Sequence, residues 1–103
     1  MKYNYKIFQL KENNELATQI AFRNFDRIKH LISLDLYNNV YENTLETDKT
    51  NVNAILENLY IKFNVGQKPN GYKGHSLSVS DIVYLNDFGY YFCDSFGFKK
   101  INL

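Results

Sequence analysis

Hydrophobic and polar residues alternate at the start of the chain, over residues 2–11. One face of this segment carries three apolar side chains and the other face carries two: Tyr3, Tyr5 and Ile7, then Phe8 and Leu10. A period of two is that of a β-strand, and apolar residues on both faces indicate burial on both sides. The pattern predicts an opening strand, followed by a turn at residues 12–14.

The clearest helical pattern lies over residues 51–64. Its apolar residues recur at steps of three and one, which places them on one stripe of a helix: Val52, Ile55, Leu56, Leu59, Tyr60 and Phe63. Polar residues fill the other side, as in a helix that packs one face on a core. We expect Thr50 to be the N-cap of this helix and Gly66 to end it.

The pattern between these segments is weaker. Ile28, Leu31 and Ile32 have helical spacing, which predicts a short helix over residues 25–32 with Asn24 as its N-cap. Residues 18–22 are expected to be extended.

Four further strands are expected. Val40 and Tyr41 indicate a short strand before the polar run that leads to the long helix. Residues 81–85 and 90–93 are rich in β-formers and flank turn residues, which predicts a hairpin. Residues 98–103 add a short strand after it.

These elements predict one α+β domain over residues 1–103: a small antiparallel sheet that includes a C-terminal β-hairpin, packed against one long and one short helix. A chain of 103 residues suits one compact domain. Hydrophobic residues make up 45% of it, which is enough for a core without disulfides. Nine tyrosines exceed what such a core needs, and Tyr is enriched at protein interfaces.

The charge and the cysteine content of the chain argue against several classes of function and of structural site. Twelve Lys and Arg stand against eleven Asp and Glu, for a net charge of +1, and this balance disfavours duplex nucleic acid as the main partner. Cys93 is the single cysteine, so neither an internal disulfide nor a cysteine-based zinc cluster is expected. No apolar run approaches the length of a membrane span or a secretory signal, which predicts a cytoplasmic protein. Fourteen asparagines beside many Lys, Ile and Tyr indicate an AT-rich coding genome, which suggests a bacterial or phage source.

Two blocks in the last third of the chain carry a family resemblance. The first block consists of Gly74, His75, Ser76, Leu77, Ser78, Val79, Ser80 and Asp81. The second follows a strand, a turn and Tyr90-Tyr91, and consists of Asp94, Ser95, Phe96, Gly97 and Phe98. With these blocks the chain resembles the YodL-like domain. The resemblance implies a module of phages, conjugative elements and the large proteins that they encode, and it carries no agreed chemistry.

The blocks admit two interpretations. A symmetric hairpin loop pairs Asp81 with Asp94, and His75 could approach the same end of the hairpin. These three residues could then bind a divalent metal, or His75 could activate Ser76 or Ser78 as a nucleophile. Alternatively, the Ser and Asp side chains satisfy loop amides, and a buried His75 locks the loop against the core. We favour the second interpretation, with no catalytic residue, metal or cofactor assigned.

The resulting hypothesis is a non-enzymatic protein-interaction module of a phage or other mobile element. It binds and modulates or inhibits a host protein, of which anti-defence activity such as anti-CRISPR is one instance. The alternatives are a small metal-dependent or hydrolytic enzyme using His75, Asp81 and Asp94, and a single-stranded nucleic-acid-binding accessory. The second alternative relies on scattered cations: Arg23, Arg27, Lys29, Lys99 and Lys100. An exposed edge of the opening strand would also permit a homodimer.

Overall fold

The structure is a computed structural model that describes residues 1–21, 23, 25–65 and 69–103. Two predicted helix boundaries, the N-cap at Asn24 and the helix end at Gly66, lie outside the described residues, as does Phe22 at the end of the segment predicted to be extended.

The centre of the fold is a five-stranded antiparallel sheet with the strand order β2-β1-β3-β4-β5. Its strands are β1 Lys2–Leu10, β2 Tyr37–Glu46, β3 Ile82–Leu85, β4 Gly89–Cys93 and β5 Phe98–Ile101. The α+β class and the C-terminal hairpin are therefore confirmed. The expectation that the opening strand forms an exposed edge is wrong, because β1 pairs with β2 on one side and β3 on the other.

One face of the sheet is covered by the long helix α3, Val52–Asn64. Its apolar stripe packs on the inward side chains of β1, so Tyr3, Tyr5 and Ile7 are buried against it. The predicted cap is off by one residue: the side chain of Asn51, not Thr50, accepts bonds from the first helical N–H groups. Within the described part of the chain, no helix has the length and apolar character needed to cross a membrane.

The opposite face is covered at one end by shorter helices and turns. These are α1 Glu15–Ile20, α2 Phe25–Ile28 and two 3₁₀ turns, Lys29–Leu31 and Leu34–Leu36. The prediction of extended chain from residue 18 is wrong, because Asn14 caps α1 by accepting a bond from Ala17 N–H at 3.0 Å. Ala17 and Ile20 then lie on the same, buried side of this short helix. The predicted helix over residues 25–32 is helical only to Ile28 before it tightens into a 3₁₀ turn.

The edge strand β2 is longer than predicted, with ten residues. Most of its side chains are exposed and polar, so the sequence pattern revealed only its centre. Parts of its outer edge are already hydrogen-bonded. Lys73 N–H donates to the Val40 carbonyl at 3.3 Å, and the side chains of Asn39 and Asn43 accept bonds from backbone N–H groups of their own strand.

The hairpin register differs from the prediction by one residue. Leu85 pairs with Gly89, and Ile82 pairs with Phe92. The reason is a three-residue loop instead of a symmetric four-residue one, closed by a bond of 3.0 Å from Phe88 N–H to the Leu85 carbonyl. Asp87 adopts a φ of 74° within it, a conformation that Asp tolerates better than most residues.

Candidate functional site

Asp81 is a buried carboxylate at the start of β3, with 2% of its surface exposed. Its Oδ2 accepts hydrogen bonds from Gln9 Nε2 at 3.0 Å and from the Ser78 N–H at 2.9 Å. Burial raises the pKa of Asp81 to about 6, although hydrogen bonds from the Ser78 N–H, the Gln9 amide and the Ser78 side chain, together with the neighbouring His75, oppose that rise. Ionisation of Asp81 in the folded protein therefore costs more free energy than ionisation of an exposed aspartate.

Gln9 connects the first strand to the first motif block. Its Oε1 accepts a bond from the His75 N–H at 3.1 Å, and its Nε2 donates to the His75 carbonyl at 2.9 Å. The side-chain amide thus pairs with the backbone of His75 as a neighbouring strand would. The hydroxyl of Tyr72 donates to the same carbonyl. These bonds hold the loop that contains the first block against β1.

Gly74 lies at a point where no side chain fits. A Cβ atom there would overlap Gln9 Oε1 and would approach Val40 Cγ2 to 3.0 Å. The glycine ahead of His75 is therefore required by the close approach of the Gln9 amide.

His75 differs from the prediction. It is exposed, not buried, and it is the backbone of His75 that locks the loop, through the two bonds with Gln9. Its imidazole Nδ1 lies 2.7 Å from the Ser76 carbonyl, which orients the ring. Within the block, the side chain that enters the core is instead that of Leu77.

The end of the first block forms a β-bulge. Ser80 N–H donates to the Cys93 carbonyl at 2.9 Å, while Cys93 N–H donates to the Asp81 carbonyl at 2.8 Å. Ser80 and Asp81 together therefore oppose Cys93, and Ser80 has a φ of 86°, in the position where such bulges usually have glycine. The Tyr37 hydroxyl fixes this point by donating to the Ser80 carbonyl at 2.7 Å.

Asp94 has different neighbours from Asp81. Its Oδ1 accepts bonds from the Ser95 N–H at 2.9 Å and from the Phe25 N–H at 3.2 Å. The predicted direct pairing of Asp81 with Asp94 is wrong, because the bulge and the shifted register place Cys93 opposite Asp81. Among the residues that the structure describes, no group of three or more His, Cys, Asp or Glu side chains is placed to hold a metal ion.

The second block forms the turn between β4 and β5. Asp94 N–H donates to the Gly97 carbonyl at 2.9 Å, and Gly97 has a φ of 69° that favours glycine. This turn presents Phe96, whose side chain is 90% exposed. Beside it lies a groove of about 260 Å³ lined in part by Glu57, Tyr60 and Phe98. We call Phe96, Tyr60, Phe98 and this groove the Phe96 surface.

The cations proposed for nucleic acid are only partly brought together. Lys29 and Lys100 line a common groove of about 300 Å³, which His30 also lines. Arg23, Arg27 and Lys99 do not line that groove.

Most tyrosines have interior roles. Tyr3, Tyr5, Tyr37 and Tyr91 are buried, and three more are partly buried and pack against the core: Tyr41, Tyr72 and Tyr90. Tyr60 alone among the nine is more than about a third exposed. The surplus of tyrosine therefore serves the core and its hydrogen bonds for the greater part, and it leaves one tyrosine on the Phe96 surface.

Sequence reasoning missed Gln9, Tyr37 and Tyr72, which complete the site. One signal was present for Gln9. It follows Tyr3, Tyr5 and Ile7 on the inward face of β1, and a polar side chain on an apolar face requires a buried partner.

Comparison with known proteins gives one match. The family model of the YodL-like domain matches residues 4–103, nearly the whole chain. A search of curated proteins and a search of solved structures each find no match.

Proposed function

We propose that this chain, which belongs to the YodL-like domain family, is a non-enzymatic interaction module that docks on another protein through its Phe96 surface. The observation that carries the proposal is the exposure of Phe96, 90% of whose surface faces solvent on a turn fixed by hydrogen bonds. When a partner covers a surface of this kind, apolar area is removed from water, which favours binding.

An isolated exposed apolar side chain needs no functional explanation, but Phe96 is not isolated. Tyr60, 40% exposed on α3, and the half-buried Phe98 line the groove beside it. Aromatic residues grouped around a pocket are typical of the few positions that dominate binding energy at protein interfaces. The surface therefore has both a projecting anchor and an adjoining recess.

The turn that presents Phe96 is held on three sides. Asp94 bonds to the backbone of Ser95, to the start of α2 at Phe25, and through its own N–H to Gly97. An anchor that is already ordered loses less conformational entropy on binding. In this proposal, the two motif blocks have different roles: the first braces the sheet, and the second presents the anchor.

The target that we propose is a host protein. The residue blocks resemble modules of phages and conjugative elements, and a short domain can act by covering a partner's surface. Inhibition of a host process, including an anti-defence activity such as anti-CRISPR, is the consequence that we propose.

The test is a pull-down from host lysate with the tagged chain, followed by mass spectrometry. We expect a stoichiometric partner with the wild type and at least a tenfold loss of it with Phe96→Ala, as is usual for an interface hot spot. Leu16→Ala is the matched control, since Leu16 is an exposed apolar residue on α1. Capture that is unchanged by both Phe96→Ala and Tyr60→Ala would rule out this surface.

A further inference from the structure

The imidazole ring of His75 is exposed, and its Nδ1 lies 3.3 Å from Gln9 Nε2 and 2.7 Å from the Ser76 carbonyl. The shorter bonds of Gln9 are made to the His75 backbone, at 2.9 and 3.1 Å. His75 lies on the wall of a groove of about 580 Å³ between the end of β1, the start of β2 and the first motif block. This volume is within the range of small-molecule sites.

Two lysines lie on the wall of this groove. Lys11 reaches it from the end of β1 and Lys73 from the chain just before Gly74, and both are exposed. In the described part of the chain, the one ion pair within 4 Å joins Lys6 and Glu42, so neither groove lysine is neutralised by such a pair.

Neutral and acidic groups complete the lining. The side-chain amide of Asn38 adds N–H donors to those of the two lysines and His75. Glu12 contributes a carboxylate to the lining. Two lysines and one carboxylate give the groove a formal charge of +1, with His75 counted as neutral.

We propose that this His75 groove binds a small molecule through a phosphate group. A phosphate offers two negative charges and several acceptor oxygens, which match two ammonium groups, an imidazole and an amide that come from three segments of the fold. The site is separate from the Phe96 surface, which is built from α3 and the β4–β5 turn. Its existence does not depend on docking to a protein.

The experiment is a titration of the ¹⁵N-labelled chain, followed by NMR, at constant ionic strength. The probes are inorganic phosphate, adenosine 5′-monophosphate and adenosine. We expect saturable shifts of the backbone amides near Lys11, Asn38 and Lys73 with the two phosphate-bearing probes, in the millimolar range or below. Adenosine should give none. Binding of adenosine at equal strength, or no saturation by either phosphate-bearing probe, would overturn the proposal.

Charge variants distinguish a specific phosphate site from general electrostatic attraction between the protein and phosphate. Lys11→Glu and Lys73→Glu should each weaken binding by about fivefold or more, the effect of losing one partly exposed ionic contact. Lys100→Glu is the control, because it makes the same charge change on the exposed surface of β5, at the opposite edge of the sheet. Glu12→Gln should strengthen binding, by about twofold to threefold. Equal weakening by Lys100→Glu, or no effect of Glu12→Gln, would contradict a site at this groove.

Discussion

Gln9 and His75 are 66 residues apart in the sequence, yet the side-chain amide of the first satisfies both backbone polar groups of the second. The same amide reaches Asp81, so a single glutamine holds a loop and a buried carboxylate at once. The structural interpretation of the first motif block therefore depends on a residue outside both blocks.

Replacement of Gln9 by alanine should lower the free energy of unfolding by about 2–4 kcal/mol. The substitution leaves the His75 N–H and carbonyl without their amide partner and removes one of the hydrogen-bond donors to a buried carboxylate. Urea denaturation followed by circular dichroism measures the change. Asn38→Ala is the control, since Asn38 is the exposed cross-strand partner of Gln9 and should cost less than about 0.5 kcal/mol.

Gly74→Ala should destabilise the fold through its contact with Gln9. A Cβ at this position overlaps Gln9 Oε1, and we expect a cost of about 1–3 kcal/mol. The cost should shrink when the same substitution is made in the Gln9→Ala background, because the obstructing atom is then gone. A double-mutant cycle on unfolding free energies tests this, and strictly additive effects would contradict the proposed contact.

Asp81 should make stability depend on pH in a direction opposite to that of most carboxylates. Its pKa is raised from 3.8 to about 6 in the fold, so the folded state holds a proton where the unfolded chain has released it. The contribution of this group to stability is therefore greatest at low pH and is lost as pH rises through about 6.

Asp81→Asn isolates that contribution. The variant should be more stable than the wild type at about pH 7.5, by at most about 3 kcal/mol at ~1.4 kcal/mol per pKa unit. The difference should diminish towards about pH 4.5, where the wild-type carboxyl is protonated. Denaturation of both proteins across this range is the measurement, and a difference that does not vary with pH would count against a raised pKa.

Ser80 occupies a backbone conformation that favours glycine, with a φ of 86°. Ser80→Gly should therefore be more stable than Ser80→Ala by about 1 kcal/mol, because both remove the hydroxyl but only glycine relieves the backbone. The bond from Tyr37 is made to the Ser80 carbonyl, and it survives both substitutions. Thermal unfolding of the two variants compares them directly, and an equal or lower stability of the glycine variant would refute the strain.

The thiol of Cys93 should be inert in the folded protein. It is 2% exposed, and burial, together with the charges of Asp81 and Asp94, raises its pKa to about 12. We expect negligible labelling by a thiol reagent at about pH 8 and rapid labelling in urea. Fast labelling of the native chain would show that the bulge opposite Cys93 opens readily.

Much of the fold could be predicted where hydrophobic residues recur with a clear period along the sequence. The alternation in β1 and the apolar stripe of α3 each arise from one face packed on the core, and the structure contains both elements. Helix α1 was missed since only Ala17 and Ile20 are buried in its six residues, too few to define a period. Strand β2 was shortened because an edge strand with exposed polar side chains loses its alternation.

The site was predictable only in part. Local spacing placed Asp81 and Asp94 on adjacent strands, but their relation depends on a bulge and a loop length that the sequence does not display. Leu85 pairs with Gly89 because Asp87 accepts an unusual φ, which no period reveals. The contacts of Gln9 are longer-range still, and a single sequence holds no signal that names its partner.

The position of β1 within the sheet affects how this protein is synthesised. One edge of β1 pairs with residues 37–46, and the other edge pairs with Ile82–Leu85, which are synthesised later. A nascent chain leaving the ribosome therefore carries a half-paired strand, and the Gln9 amide lacks its partners, until residues 74–85 have been synthesised. During that interval the open edge is a substrate for chaperones and for association with other nascent chains. Premature termination before Gly74 would yield a product without the loop and without the three strands β3, β4 and β5, of which β3 pairs with β1, and we expect the cell to degrade it.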